Sequence, residues 1–515
     1  MHVALTIGDF LERAALVYGE RVAIVDEPGV AGSLGRLTYA EMHDRARGMA
    51  LALDAMGVGA GERVAIVSPN SARFLISFFG VSGFGRVLVP VNFRLNADEV
   101  GYIVEHSGAS VLLVDPELDE ALATVPAKVR LVLDGEQDAE LFAPSPAGAD
   151  PARWEADEAA TCSVNYTSGT TARPKGVQLT HRNCWLNAAV FGWHTTVSDR
   201  DTLLHTLPMF HCNGWGMPYA VTAMGAKHVV VRKVDGEEIL RRVDAEGVTL
   251  LCGAPAVVAA ILGAAAERRR RGEPVPGEGR VRMVVAGAPP PSRTIEAVET
   301  DLGWEFIQIY GLTETTPLLT VNRAPVEWDA LDGPTRAARL ARAGVPAVGV
   351  RIRTDADGEI LARTNHVFAG YWQQPDETAS ALEGGWFHTG DGGYLDGPYV
   401  VIADRKKDVI ITGGENVSSI EVEDCLYQHP AVAEAAVIGV PDDKWGETVK
   451  ALVVLRPGQE ASEADLIEFC RSRLAHFKAP SSVEVRDALA RTATGKLQKF
   501  KLRQPYWEGR NRNVN

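Results

Sequence analysis

Apolar and polar positions follow two periods along this chain, and the periods take turns. Phe10, Leu11, Ala14 and Val17 fall at helical spacing and mark the apolar face of a helix near the start. Residues 23–26 read as a short strand, and Thr38 reads as the cap of a helix over 39–56, with Glu41 at its start. The apolar run 63–67 predicts a strand. A Ser-Pro-Asn-Ser turn, a helix to about Phe84 and strands at 87–91, 111–114 and 129–133 follow. Residues 144–153 are rich in Pro, Ala, Gly and Asp and read as a linker. A second αβ series begins at Ser163, with strands at 201–207, 227–231, 281–285 and 304–309. Strands alternating with helices predict a mostly parallel α/β sheet.

Some stretches break the rhythm. The longest uncharged one, 250–266, is interrupted by Gly253 and Pro255. It is too short and too broken to span a bilayer, and reads as a buried loop and helix. Residues 267–282 contain Arg268 to Arg271 among several Gly and Pro, the pattern of a solvated loop. Gly392-Gly393 and Asp396-Gly397-Pro398 mark a hairpin whose second strand covers 399–402. Near residue 404 the composition changes. Beyond it helices at 419–428 and 463–474 and strands at 432–440, 448–455 and 482–485 form an α+β pattern, enough for a small domain. The polar tail 507–515 is expected to lack order. The division is therefore a large N-terminal domain over 1–403 and a small C-terminal domain over 404–515.

Composition narrows the function more than the fold. The chain has 515 residues, 46% hydrophobic and 23% charged, as in an ordinary soluble globular protein. A net charge of −15 argues against a nucleic-acid binder, while leaving room for a local basic site. The six cysteines are scattered without a Cys-x-x-Cys pair, which argues against a zinc site or disulfide framework and for a reducing, cytoplasmic setting. The first residues lack a basic region followed by an apolar core, so no secretory signal is expected.

The chemistry begins at Tyr166-Thr167-Ser168-Gly169-Thr170-Thr171-Ala172-Arg173-Pro174-Lys175-Gly176. Four hydroxyls crowd around one glycine, a lysine follows, and an apolar run leads in. Such a segment can aim N–H groups, hydroxyls and a positive charge at a polyphosphate. The bland reading is a polar surface loop, and the Walker spacing is absent. Tyr310-Gly311-Leu312-Thr313-Glu314 follows another apolar strand. There a tyrosine can lie on a base, a threonine can donate to a phosphate and a carboxylate can hold Mg²⁺; alternatively Thr313 merely caps a helix. His388-Thr389-Gly390-Asp391 places a carboxylate after a glycine, ordinarily an exposed turn residue in a loop. Lys406 and Lys407 would ordinarily be solvated charges, Gly413-Gly414 a plain turn, and Lys496 in Thr492-Ala493-Thr494-Gly495-Lys496 an inert surface lysine.

In this order and spacing the segments resemble the adenylate-forming superfamily of acyl-CoA synthetases, luciferase and peptide-synthetase adenylation domains. The resemblance covers about 7–502, and is closest to the fatty-acyl-CoA synthetase branch. It implies doubly wound αβ sheets plus a small barrel-like part in the large domain, with a mobile α+β domain behind. It implies that Thr167, Ser168, Gly169, Thr170, Thr171 and Lys175 cradle the phosphates of ATP. Tyr310 and Gly311 would lie beside the adenine, Thr313 near the α-phosphate, Glu314 and Thr167 on Mg²⁺, and Asp391 and Arg405 on the ribose. Lys496 would act in adenylation and Lys407 as hinge. Gly413 and Gly414 would line the passage for CoA. Gly287, Ala288 and Pro289 would wall the acyl and adenine pockets. His211 and Trp215, in Pro208-Met209-Phe210-His211-Cys212-Asn213-Gly214-Trp215, would shape the acyl site. Two departures stand out: most members carry Gly where this chain has Ala172, and often Pro where it has Ala490.

The expected reaction joins a carboxylic acid to CoA through an acyl-adenylate, with release of AMP and pyrophosphate. The acid would be a medium- or long-chain fatty acid or an aryl acid. Competing readings keep the adenylation but change the acceptor to an amine, a hydroxyl, a carrier-protein thiol in trans or an inorganic nucleophile, or keep only the scaffold as a non-catalytic nucleotide binder. The resemblance alone suggests a homodimer.

Overall fold

The computed structural model describes residues 1, 3–167, 174–287, 290–405, 408–412, 415–442, 445–491 and 497–508, with the side chains of 403–405 and 416 outside the description. Two large sheets dominate. The first has seven strands in the order Gly370–Tyr371, Lys175–Thr180, Thr161–Thr167, Val87–Val91, Arg63–Val67, Ala109–Val114 and Val129–Val132. The second has nine: Val345–Pro346, Leu318–Arg323, Glu305–Gly311, Arg282–Val285, Leu250–Gly253, Thr202–His205, Lys227–Val230, Val22–Val25 and Arg36–Thr38. The central strands of each are parallel, and antiparallel strands stand at the margins.

Successive side chains of a strand face opposite sides, so a strand buried on both faces feeds two cores. Strand Arg63–Val67 does so: Val64 and Ile66 join a core shared with Ile24 and Leu203 of the nine-stranded sheet, while Ala65 and Val67 join another with Val100, Ile103 and Val104. The shared core is filled by helices such as Ala72–Gly80, whose Phe74, Phe78 and Phe79 are fully buried. The outer face of the nine-stranded sheet packs Leu204, Leu251, Met283 and Phe306 against Ile239, Val258, Ile261 and Ile295. Thr38 caps helix Tyr39–Ala55 with a reciprocal bond pair to Glu41, which also lies in its first turn.

A four-stranded antiparallel sheet, Arg351–Thr354, Glu359–Arg363, Phe387–Asp396 and Tyr399–Arg405, stands where the small barrel-like part was expected. The C-terminal sheet has five strands, with Gly446–Leu455 at its centre and Val432–Asp442 paired along one side of it. One of its faces packs Val449, Ala451 and Val453 on Val422, Leu426 and Leu466; the other packs Ala436, Ile438 and Leu452 on Leu502.

Four local expectations are corrected. Helix Gly8–Tyr18 buries Phe10, Leu11 and Ala14, but Val17 is 51% exposed because it lies past the edge of the apolar stripe. Residues 250–266 are a strand, Leu250–Gly253, and a helix, Pro255–Arg270. Arg268, Arg269 and Arg270 form the last turn of that helix, where cations face the negative end of its dipole, and Arg268 pairs with Glu237 at 2.6 Å. Trp507 ends a helix, Lys499–Trp507, and its Nε1 donates to Gly439 O at 3.0 Å; residues 509–515 of the tail lie outside the described residues.

Candidate active site

Both parallel sheets turn antiparallel at a motif. Strand Thr161–Thr167 pairs with Lys175–Thr180, Thr167 opposite Lys175, so the strands on either side of the hydroxyl-rich stretch stay paired up to those two residues. Lys175 Nζ stands 5.0 Å from the ring centroid of Tyr371 and forms an ion pair with Glu377. Tyr371 comes from the edge strand Gly370–Tyr371, which pairs with Lys175–Thr180 from the other side.

The second hairpin is Glu305–Gly311 with Leu318–Arg323. Its turn is tied from inside. Leu312 N donates to Thr315 Oγ1 at 3.0 Å, and Thr315 Oγ1 donates to Pro317 O at 2.6 Å. Thr316 Oγ1 donates to His366 O at 2.7 Å, and His366 Nδ1 lies 2.9 Å from Thr315 O. Burial pushes the pKa of His366 down, so the neutral ring donates its Nδ1–H there. A Cβ on Gly311 would stand 1.5 Å from Pro317 O, so only glycine fits. Thr313 opens a short turn, Thr313–Thr315, rather than capping a longer helix.

Glu314 Oε1 accepts a hydrogen bond from Tyr371 Oη at 2.9 Å. Burial, and next the Glu314 charge, push the Tyr371 phenol up, which keeps it protonated and donating. Tyr371 therefore touches Lys175 of one hairpin and Glu314 of the other. The sequence reading missed it. Its signal was faint: an aromatic pair after Gly370 with no periodicity of its own.

Tyr310 Oη donates to Asp391 Oδ2 at 2.8 Å. By local sequence alone an Asp after a Gly, as at Asp391, would ordinarily be an exposed turn residue. Asp391 is instead on strand Phe387–Asp396 and 7% exposed, its N–H on Thr389 Oγ1 at 3.1 Å. Gly390 N donates to Glu359 Oε1 at 2.8 Å, which pins the strand beside it. Arg405 is the backbone register partner of Asp391.

The His211–Trp215 segment is conformationally unusual. Cys212, Asn213, Gly214, Trp215 and Gly216 have φ of 47°, 51°, 59°, 60° and 78°, a complete left-handed turn. Left-handed backbone costs roughly 1–2 kcal/mol per residue with a side chain, less for Asn. Trp215 is 4% exposed within this turn, and His211 precedes it half-buried. Cys212 Sγ lies 3.9 Å from Thr313 O, so the turn abuts the second motif. Gly287 follows strand Arg282–Val285 with φ of 97°.

Among the predicted site residues Thr167, Lys175, Tyr310, Gly311, Thr313 and Glu314 stand at strand ends or in the turn, and Asp391 lies inside its strand, where Tyr310 reaches it. Ser168, Gly169, Thr170, Thr171, Ala288, Pro289, Lys407, Gly413, Gly414 and Lys496 lie outside the described residues, as does the Arg405 side chain. Strands Ile410–Thr412 and Glu415–Val417, on either side of 413–414 in the chain, pair antiparallel. No group of three or more His, Cys, Asp or Glu among the described residues could hold a metal ion. A Mg²⁺ ion would fit here only as a hard cation on oxygen, with Glu314 and Thr167 as protein donors and phosphate oxygens supplying most of its shell.

Parallel sheets that present loops at their strand ends, and these motifs in this order, define an adenylate-forming enzyme. The chain belongs to the AMP-binding enzyme family: the model of that family matches residues 11–372, and that of the AMP-binding enzyme C-terminal domain matches residues 421–496. It is an AMP-forming acid–CoA ligase, with ATP and CoA as co-substrates. The chain is 36% identical to 4-hydroxybutyrate–CoA ligase 2 of Metallosphaera sedula, over 96% of this chain and 93% of that protein. It is 35% identical to the peroxisomal acetate/butyrate–CoA ligase AAE7 of Arabidopsis thaliana, over 98% and 94%. Among solved structures it resembles the anthranilate CoA ligase AuaEII in complex with anthranoyl-AMP, at a TM-score of 0.87 and 27% identity over 98% of each chain. No described helix is long and apolar enough to cross a membrane.

Proposed function

We propose that acid and ATP meet between the two hairpins on a large domain, 1–403, and that a small domain, 404–515, closes over them about a hinge at Lys407. The observation that carries this is Tyr371: its ring faces Lys175 and its hydroxyl holds Glu314, which brings the two motif hairpins to one place. Thr167, Ser168, Gly169, Thr170, Thr171 and Lys175 then face the phosphates, Tyr310 and Gly311 the adenine, and Asp391 with Arg405 the ribose. Gly287, Ala288 and Pro289 separate adenine from acid. Thr313 stands near the α-phosphate, and Glu314 with Thr167 holds Mg²⁺. The bound ion neutralises phosphate charge.

The acid's carboxylate attacks the α-phosphorus and pyrophosphate leaves. Here the enzyme chiefly positions two anions and offsets their repulsion. Lys496 supplies charge at that step. After rotation of the small domain, Gly413 and Gly414 line the path of CoA. Its thiol loses a proton and attacks the acyl carbon, and AMP leaves. The acceptor is CoA rather than a carrier-protein thiol, and the acid is a short aliphatic one, shorter than the sequence reading expected. Support comes from Trp215, fixed in a buried turn, and from relatives named for 4-hydroxybutyrate, acetate and butyrate. Six buried free thiols support work in the reducing cytoplasm.

One preorganised charge at the reacting centre is worth roughly 3–4 kcal/mol. Lys496→Ala is therefore expected to slow acid-dependent pyrophosphate release by two or more orders of magnitude, while thioester formation from supplied acyl-AMP persists. Release at the native rate would remove Lys496 from the reaction. A panel of acids from acetate to octanoate, with benzoate and anthranilate, tests the substrate class. A preference for the aryl acids would overturn it.

A further inference from the structure

The left-handed turn is bolted to both hairpins by buried side chains to which the motifs assign no role. Ser163 Oγ donates to Asn165 Oδ1 at 2.9 Å, Asn165 Nδ2 to Asn213 Oδ1 at 3.1 Å, and Asn213 Nδ2 back to Ser163 Oγ at 2.8 Å. The ring closes with every donor pointing the same way round, so each bond polarises the next. All three residues are at most 2% exposed. Breaking one bond would strand polar groups away from water.

The ring spans two functional elements. Ser163 and Asn165 lie on strand Thr161–Thr167, which in the chain leads into the hydroxyl-rich stretch. Asn165 Nδ2 also reaches Phe210 O at 3.4 Å. Asn213 lies in the turn that carries Trp215. Across the turn, Asn187 Nδ2 donates to Trp215 O at 3.1 Å, and Asn187 Oδ1 accepts from Leu318 N at 3.2 Å, where the second hairpin's return strand begins. A Cβ on Gly216 would stand 2.4 Å from Asn187 Nδ2, so that amide fits only beside glycine. A relaxed connection would avoid left-handed backbone at Cys212 and Trp215. Strain kept in place by its surroundings is characteristic of functional segments.

We propose that the ring of Ser163, Asn165 and Asn213 is a positioning device: it fixes the wall carried by the 212–216 turn against the phosphate hairpin and thereby sets which acids react. This rests on reading His211 and Trp215 as the wall of the acid pocket. A shift of about 1 Å in a reacting pair can change a rate by about a hundredfold, and a misfit of a methylene by about tenfold or more.

The test uses the full-length enzyme and the ratio of kcat/KM for butyrate to that for hexanoate, which does not depend on the fraction of folded protein. Asn213→Gly keeps a left-handed backbone cheap and opens the ring. It is expected to change that ratio by roughly tenfold, while the KM for ATP stays within about twofold of the native value. Trp215→Ala tests the underlying reading and is expected to change the same ratio. If Trp215→Ala shifts it and Asn213→Gly only lowers the Tm, the ring is structural and the proposal fails while the pocket reading stands. If Trp215→Ala leaves the ratio unchanged, the pocket reading fails and the proposal with it. Should Asn213→Gly not fold, Ser163→Ala opens the ring from the strand side and is judged by the same criteria.

Discussion

The two motif hairpins share a frame and differ in what their tyrosines hold. In each, a parallel strand reaches the end of its sheet, carries a tyrosine one residue before its last, and returns antiparallel. Tyr166 Oη meets His106 Nδ1 at 2.8 Å, on helix Ala97–Ser107, which covers the same sheet. Burial pushes the His106 pKa down and the Tyr166 phenol up, so a neutral imidazole accepts from an un-ionised hydroxyl. Tyr310 Oη instead leaves its sheet and reaches Asp391 on the four-stranded one. One tyrosine fastens a hairpin to its own support, and the other joins two layers at a buried carboxylate. The same residue in the same local setting stays within its own sheet in one hairpin and crosses to another sheet in the other.

Predictions that bear on this contrast run from the second hairpin outward. Glu314→Gln keeps the size and the acceptor for Tyr371 but removes the charge. If the second hairpin holds Mg²⁺ as proposed, acid-dependent pyrophosphate release falls by about 10²–10³ with the Tm nearly unchanged; a loss below tenfold would move the metal elsewhere. Tyr371→Phe deletes the bond shared between the hairpins. A hydrogen bond to a charged group is worth about 1.5–3 kcal/mol, so a fall of roughly ten- to a hundredfold is expected, accompanied by a rise in the Mg²⁺ needed for half-maximal rate. An unchanged Mg²⁺ requirement would make Tyr371 mere packing.

Where the strand ends fall was legible in the sequence, because burial writes itself into apolar runs. Strands Arg63–Val67, Val87–Val91 and Ser482–Val485 begin and end where the pattern placed them. The strand that ends in the second motif was legible for the same reason, whereas its antiparallel return over Leu318–Arg323 was not. Side-chain partners were not. Tyr371 and Glu314 are 57 positions apart, and Asn165 and Asn213 are 48 apart. No local period records such a pairing. Asp391 misled because Gly390, with φ of 72°, looks like a turn although it sits inside a strand held by Glu359. Arg268 to Arg270 misled because charge masks a helix end whose apolar face lies a turn earlier.

The tyrosines themselves give the sharpest comparison. Tyr310→Phe removes the donor to buried Asp391 and is expected to raise the KM for ATP about tenfold, since a bond to a carboxylate is worth at least about 1.5 kcal/mol. Tyr166→Phe removes a neutral bond to His106, worth about 1 kcal/mol, in a place that only supports the hairpin stem. It should lower the Tm by no more than a few degrees in a chain of this size and change the KM for ATP less than about twofold. The pair is informative because the deletion is one hydroxyl in both cases, on equivalent strand positions, with both rings half-buried. Any difference in ATP binding must then come from what each hydroxyl touches. If Tyr166→Phe weakens ATP as much as Tyr310→Phe does, the phosphate hairpin depends on its stem more than on its tip, and His106 joins the residues that shape the site.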